Sequence, residues 1–238
     1  MISRPFDFKR HPCRDFKVPS WFKHYLPHSE ESTRHWERQY QLAKAGRQHE
    51  IPEWSMRSPV NELHQLMSKE FWSEVPKDFD SILDVGCNDG YMVKVFQDEG
   101  KKAVGINDSL MPVDWAYIED NSLPVVEGDM HNMDFPDAAF EAAWCRHTLE
   151  HSFAPLQVLA EINRVLRSNG YLFAVLPPPP QPPEPFPDHW HQIPEYQFRY
   201  LLESCNFEVL RLWTAWFSYK QTNDNLEIRA ICRRSGGW

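Results

Sequence analysis

The feature that most constrains the fold of this chain is a short apolar run, residues 81–85, that turns on glycines. Gly86 and Gly90 bracket the turn, and Asp84 stands two residues before the first glycine. Because glycine lacks a Cβ atom, backbone N–H groups at such a turn can come close to a ligand at the start of the following helix. The segment therefore predicts a buried strand, a ligand-binding turn and a helix in direct succession.

Further segments along the chain are candidates for the other strands. They are Lys101–Ser109, Val125–Met130, the end of Phe135–Cys145, Tyr171–Leu176, Phe207–Leu212 and Leu226–Cys232. An amphipathic helix is predicted between the fourth and fifth strands, with Leu156, Leu159, Ile162 and Leu166 on one face and Asn169-Gly170 at its end.

The G-x-x-x-G turn after Asp84 resembles motif I of the class I S-adenosylmethionine-dependent methyltransferases. The block Pro136–Glu141 and the loop His147–His151 resemble the small-molecule, type 11-like branch of that superfamily. The resemblance covers about residues 78–233. It implies an α/β fold with a Rossmann-like, seven-stranded, mostly parallel sheet in the order 3-2-1-4-5-7-6, the last strand antiparallel, and helices on both faces.

The resemblance also implies which residues hold the cofactor, S-adenosylmethionine. Asn107 stands where the family usually has an acid for the ribose hydroxyls, with Asp108 next to it. Asp129 would accept a hydrogen bond from the adenine amino group, and Met130 would line the ring. The complete set of cofactor-binding candidates is Asp84, Gly86, Cys87, Asn88, Gly90, Asn107, Asp108, Asp129, Met130 and Cys145.

Four histidines are the candidate catalytic residues. The expected reaction is transfer of a methyl group to an oxygen, nitrogen or carbon atom of a small-molecule acceptor. His147 and His151 lie in the loop after the fourth strand, and His189 and His191 follow the fifth. Histidine suits proton removal near neutral pH, and each of the four could also position the acceptor. A purely structural hydrogen bond is the competing interpretation for each.

The spacing His147-x-x-Glu150-His151 also matches the H-x-x-E-H motif of inverted zincins. We discount a peptidase because the segment ends a strand within a methyltransferase order of motifs. Quinone-biosynthesis O-methyltransferases carry an acidic-rich sequence in this loop that can hold a divalent metal; Glu150 and His151 match it, while His147 replaces an acid. We predict no metal, with this loop as the open alternative.

Two regions look like additions to the core. Residues 1–75 predict a mainly helical cap rich in aromatic residues, either a lid over the acceptor or a structural cover, and residues 76–238 predict the methyltransferase core. The segment 177–187 contains eight prolines and directly follows the fifth strand. We expect this proline-rich arm to wall the acceptor site, the alternative being a docking segment for a proline-recognising domain.

Charge and composition limit the partners. The net charge is −9; residues 1–60 hold 11 basic and 7 acidic residues, and the rest of the chain holds 14 and 27. The acidic core argues against nucleic-acid binding. The basic front either pairs with the acidic core or favours a polar or anionic acceptor. With no apolar run of about 18 residues, no secretory h-region and five cysteines without a C-x-x-C pair, we expect a cytoplasmic protein without membrane association. The oligomeric state stays open.

Two other functional classes compete with an active methyltransferase. A catalytically silent cofactor-binding subunit or regulator would keep the fold and lose the sites, and Asn107 is the one residue that hints at it. A nicotinamide oxidoreductase would share the parallel sheet, but it would normally carry the glycine spacing G-x-G-x-x-G.

Overall fold

The computed structural model describes residues 45, 62–108, 117–179, 189, 191–219 and 222–235. The longer helices within these ranges are α1 (Glu62–Glu74), α2 (Tyr91–Asp98), α3 (Pro155–Val165) and α4 (Glu195–Ser204). The strands are β1 (Ser81–Val85), β2 (Lys102–Asn107), β3 (Val125–Glu127), β4 (Phe140–Arg146), β5 (Leu166–Leu176), β6 (Phe207–Tyr219) and β7 (Thr222–Arg234). Most of the predicted cap, residues 1–75, and of the predicted proline-rich arm, 177–187, lies outside the described residues.

The seven strands form one sheet in the order β3-β2-β1-β4-β5-β7-β6. β1 pairs in parallel with β2 and β4, whereas β7 runs antiparallel to both β5 and β6. The predicted fold class and strand order are confirmed. Because the parallel strands end at one edge of the sheet, Asp84, Asn107 and Arg146 come to the same edge, where α/β folds bind ligands.

Apolar side chains cover both faces of the sheet, as the period-two geometry of strands requires. Ile82 and Trp144 belong to the core that includes Phe96 of α2. Leu83 and Ala143, one residue away in each strand, belong to the opposite core, which includes residues of α3 and α4. Helices therefore lie on both faces, as predicted.

Helix α1 packs directly on the sheet. Phe71 and Trp72 are almost completely buried, with the Phe71 ring 5.1 Å from that of Trp144 and the Trp72 ring 4.6 Å from that of Phe96. Aromatic pairs at such distances contribute about 0.5–1.5 kcal/mol beyond the burial of their area. The last part of the predicted cap is thus tied to the core, which brings the start of α1 to the carboxyl edge of the sheet.

The helix–strand boundary before β5 differs from the expectation. Leu166 begins β5 instead of extending α3, and Leu156 is exposed. The buried residues of α3 are Pro155, Val158, Leu159, Ile162 and Val165. Asn169 does adopt the left-handed φ of 63° that the predicted helix stop requires, but it does so within β5, where the pairing with β4 shifts register. A bulge therefore uses the conformation that sequence reasoning assigned to a helix end.

No helix within the described ranges has the length and apolar character needed to cross a membrane.

The last two strands are longer than expected and form a hairpin at the edge of the sheet. Strand β7 carries two buried charged residues, Glu227 and Arg229, which lie beside the candidate site.

Candidate active site

The glycine turn between β1 and α2 is held by main-chain hydrogen bonds to β2. The N–H of Gly86 donates to the carbonyl of Ile106 at 2.8 Å, and Gly86 has a φ of 75°. A Cβ atom added at Gly86 would lie 2.4 Å from Oγ1 of Thr148. Glycine is therefore required here by the protein's own packing, a reason separate from the approach of a ligand.

A larger cavity of about 240 Å³ lies over the ends of β1 and β2. It is lined by Gly86, Asn88, Ile106, Asn107, Asp108, Gly128, Met130, His147, Thr148 and His151. Oδ1 of Asn107 accepts a hydrogen bond from the N–H of Asn88 at 3.4 Å, which links the glycine turn to the end of β2. The two residues expected at the ribose thus line the same cavity as Met130, expected at the adenine.

A smaller cavity of about 120 Å³ lies between the turn and helix α1. It is lined by His64, Ser68, Asp84, Gly86, Cys87, Asn88, Asp89, Tyr91, Met92, Trp144, Arg146 and His147. Burial and the neighbouring Asp89 raise the pKa of Asp84 to about 8, although Arg146 acts in the opposite direction. Burial, with Arg146 and His147 nearby, lowers the pKa of His64 to about 4.

Gly86, Asn88 and His147 line both cavities, so the two spaces meet at the glycine turn. His147 has a φ of 50°, and its Nε2 lies 3.1 Å from Oε1 of Glu227 while its Nδ1 lies 3.4 Å from Oε1 of Glu150. Burial and Arg146 would lower the pKa of His147, but the two carboxylates outweigh them and raise it. With a carboxylate facing each ring nitrogen, His147 is poorly placed to accept a proton from an acceptor.

The other candidate histidines separate into two kinds. The rings of His151 and His189 lie 4.8 Å apart and nearly perpendicular, and His151 lines the larger cavity. The main-chain N–H of His191 donates to the carbonyl of Glu150 at 3.2 Å, which fastens the segment after β5 to the loop after β4. The structure thus brings His147, His151 and His189 together, and it shows His191 holding the loops through its backbone.

The loop also gathers side chains that could hold a metal ion. Within the described part of the chain, Glu150, His151 and His189 each offer one ligand atom, and these atoms lie within 4.8 Å of one another. Glu150 is 1% exposed, and its Oε1 lies 3.4 Å from Nδ1 of His147 and 4.0 Å from Nε2 of His151. Among the described residues, neither carboxylate oxygen accepts a hydrogen bond of regular geometry. This set of three differs from the alternative metal site considered in the sequence analysis, which had His147 in place of His189. Two imidazoles and a carboxylate suit zinc-like ions better than magnesium.

Three predicted cofactor residues, Asp129, Cys145 and Gly90, line neither cavity. The carboxylate of Asp129 accepts hydrogen bonds from the N–H of His131 at 2.8 Å and pairs with its Nδ1 at 2.7 Å, an interaction that lowers the pKa of Asp129. Cys145 is completely buried in the core beneath the site, and this burial raises the pKa of its thiol. Gly90 has a φ of 77° and closes the turn from outside the cavities. The remaining cofactor candidates all line one cavity or the other.

Sequence reasoning missed several lining residues. Thr148 is buried and lies between the candidates His147 and His151, with its hydroxyl donating to the carbonyl of Val85 or Arg146, each at 3.1 Å. His64 and Tyr91 reach the smaller cavity from α1 and α2. The helical spacing of α1 could have indicated which face is buried, but not that its first turn meets the glycine loop.

Comparison with known proteins identifies the kind of domain that carries this site. The sequence profile of a family described as "Methyltransferase domain" matches residues 83–174. A relative from Mycolicibacterium smegmatis, named "Probable S-adenosylmethionine-dependent methyltransferase", is 23% identical over 133 residues, which cover 54% of this chain and 52% of the relative. Residues 83–174 therefore contain a methyltransferase domain of the S-adenosylmethionine-dependent kind. The chain spans about half or less of the length of the curated relatives it matches.

Solved structures show how widely the fold is shared. A S-adenosylmethionine-dependent methyltransferase from Aquifex aeolicus aligns with a TM-score of 0.56 and 19% identity, covering 75% of this chain and 95% of the other. The [4+2]-cyclase SpnF aligns with a TM-score of 0.61 and 19% identity, covering 76% and 84%. The fold therefore does not decide the reaction, which must be argued from the site.

Proposed function

We propose that this chain transfers a methyl group from S-adenosylmethionine to a small, polar acceptor. The observation that carries the proposal is that the two cavities meet at Gly86, Asn88 and His147. An extended cofactor with an adenosine end and an amino-acid end fits two adjoining spaces of this kind. The reacting centre of such a ligand would lie where the cavities meet.

The residues present fit both ends of the cofactor. Asn107 and Asp108 in the larger cavity offer oxygen acceptors to ribose hydroxyls, and Met130 offers an apolar surface to the adenine. In the smaller cavity, Nε of Arg146 and the hydroxyl of Tyr91 are buried without hydrogen-bond partners among the described residues, and both suit a carboxylate. Asp84 offers a carboxyl group to the ammonium.

The proposed chemistry places modest demands on the protein. S-adenosylmethionine supplies a methyl group on a sulfonium, which is displaced in line by a nucleophilic atom. The protein must align the acceptor and, for a hydroxyl or ammonium acceptor, remove its proton. We assign proton removal to the His151–His189 pair, because both ring nitrogens of His147 already face carboxylates.

The remaining expectations about partners are part of the proposal. The acceptor is a polar or anionic small molecule, bound between the loop after β4, the segment after β5 and the N-terminal region. The acidic balance of residues 61–238 disfavours nucleic acid. A cytoplasmic location fits Cys87, Cys145, Cys205 and Cys232, all buried free thiols.

The test combines binding with turnover. In calorimetry, S-adenosylhomocysteine should bind and NAD should not. Methyl-labelled S-adenosylmethionine should label at least one member of a panel of small molecules that offer a hydroxyl group, an amine or an acidic carbon. His189→Ala, at the member of the pair that lines neither cavity, should reduce labelling and leave S-adenosylhomocysteine affinity close to that of the parent. Failure of the parent to bind S-adenosylhomocysteine would overturn the proposal.

A second candidate is a protein that binds the cofactor without transferring its methyl group. Asn107 in place of an acid and the fold shared with a protein titled as a [4+2]-cyclase favour it. It predicts binding of S-adenosylhomocysteine with no labelled product from any acceptor in the panel. The same pair of measurements therefore separates the two candidates.

A further inference from the structure

A buried ion network joins helix α1, the end of β4 and strand β7 beside the smaller cavity. Glu227 and Arg229 of β7 are both 0% exposed. Nε of Arg229 donates to Oε2 of Glu227 at 3.0 Å, and Nη2 donates to Glu70 of α1 at 2.9 Å. Nη1 also lies 3.3 Å from Glu74. One oxygen of Glu227 is thus committed to an arginine that α1 holds in place.

The other oxygen of Glu227 faces the cavity. Oε1 accepts a hydrogen bond from Nη2 of Arg146 and lies 3.1 Å from Nε2 of His147. Burial alone would raise the pKa of Glu227, but His147, Arg146 and Arg229 outweigh it and hold the pKa well below its usual range. Glu227 therefore stays ionised and links two residues that line the smaller cavity.

Arg146 retains binding capacity after this pairing. Its side chain is 8% exposed, and its Nε has no hydrogen-bond partner among the described residues. The Tyr91 hydroxyl is in the same condition, and the buried Asp84 lies in the same cavity. Buried polar groups normally find partners, so these groups together indicate a ligand with both a carboxylate and an ammonium.

We propose that Glu227 is a positioning residue that orients Arg146 and His147 to recognise the amino-acid end of the cofactor. The inference rests on the proposed function, because it concerns the same ligand. It adds that a residue 80 positions away from His147 controls this end of the site. It also explains why α1 carries Glu70 and Glu74 towards Arg229, which in turn fixes Glu227.

Glutamine is a sharp probe of this arrangement. Both oxygens of Glu227 act as acceptors, one towards Arg229 and one towards Arg146 and His147. In Glu227→Gln one of them becomes an NH₂ donor, so one of the two contacts must be lost whichever way the amide turns. The side-chain volume is almost unchanged.

The experiment compares two adenosine ligands by calorimetry. S-adenosylhomocysteine carries the amino-acid end, and 5′-methylthioadenosine lacks it. Glu227→Gln should weaken S-adenosylhomocysteine binding by about tenfold or more and change methylthioadenosine binding by less than about threefold. The control is Glu161→Gln. Both carboxylate oxygens of Glu161 accept hydrogen bonds from Arg164, each at 2.9 Å, and Glu161 lines neither cavity. It should leave both affinities within about twofold.

The outcomes separate the possible failures. Equal losses for both ligands in a folded Glu227→Gln protein, or no loss for either, would overturn the positioning role. A parent that binds neither ligand would overturn the proposed function itself. Should Glu227→Gln fail to fold, Glu227→Asp keeps the buried charge and withdraws the carboxylate by one methylene group. It should then show the same selective loss for S-adenosylhomocysteine, and equal affinities for parent and variant would refute the inference.

Discussion

The larger and smaller cavities differ in how far along the chain their determinants lie. The larger cavity is built mainly from the glycine turn and the ends of β2, β3 and β4, which follow one another along the chain. The smaller cavity depends on α1 before the sheet and on Glu227 of β7 near its end. Local motifs thus define the cavity proposed for the adenosine end of the cofactor, whereas contacts between distant parts of the chain define the cavity proposed for its amino-acid end.

The largest expected effect tests whether the glycine turn itself depends on a distant contact. Gly86→Ala should cost about 3 kcal/mol or more, because it combines backbone strain at positive φ with overlap against Thr148. Gly100→Ala is the matched control, because Gly100 has a φ of 80° and an added Cβ would meet no atom within 4 Å. This variant should lose only about 1–2 kcal/mol of the free energy of unfolding. Urea unfolding gives both values. Equal costs would mean that Thr148 plays no part.

A double variant sharpens the same comparison. Adding Thr148→Ala to Gly86→Ala removes the two nearest atoms, Oγ1 and Cγ2, and should recover part of the lost stability. Strictly additive costs in the double-mutant cycle would contradict the steric explanation.

The next effect concerns Asp84, where affinity and stability should move in opposite directions. Asp84→Asn should weaken S-adenosylhomocysteine binding by about tenfold or more, because an amide cannot form an ion pair with an ammonium. The folded-state pKa of about 8 exceeds the ordinary 3.8, so the parent's stability from this group is complete at low pH and is lost as the pH rises through 8.

Melting temperatures measured across pH give the second readout. The advantage of the Asn variant over the parent should widen between about pH 4 and about pH 8 and then level off. A difference that stays constant with pH would show that Asp84 is not buried as a neutral acid. Parent-like affinity in the variant would place the ammonium elsewhere.

The smallest expected effect lies at the ribose. Asn107→Asp keeps an oxygen acceptor for the N–H of Asn88 and adds a charge, which should tighten S-adenosylhomocysteine binding by about twofold to fivefold. Asp108→Asn, the opposite change next door, should weaken it. A tenfold loss in Asn107→Asp without a change in melting temperature would mean that the ribose does not lie there.

The contrast between the two cavities also explains what the sequence could predict. The turn from Asp84 to Gly90 was predicted from residues close together in the chain, and the strand order was predicted from the resemblance to the methyltransferase superfamily. The role of Thr148 against Gly86 and the contact between Glu227 and His147 could not follow, because residues 62 and 80 positions apart meet only after the sheet forms. Asp129 and Cys145 were placed by their position in a motif, which does not specify where a side chain points.

The boundary errors have a similar cause. Asn169-Gly170 has the composition of a helix stop, and the same conformational freedom serves a bulge in β5. Leu156 has helical spacing with Leu159 but lies exposed at the first turn of α3. Neither distinction is visible without the neighbouring strand.

A crystal structure of the protein saturated with S-adenosylhomocysteine tests the central claim most directly, namely that one ligand occupies both cavities. The account predicts the ribose hydroxyls within hydrogen-bond distance of Asn107 or Asp108, the sulfur near His147, and the carboxylate against Arg146 or Tyr91. A complex in which the amino-acid end points away from the smaller cavity, or in which the adenosine lies outside the larger one, would contradict it.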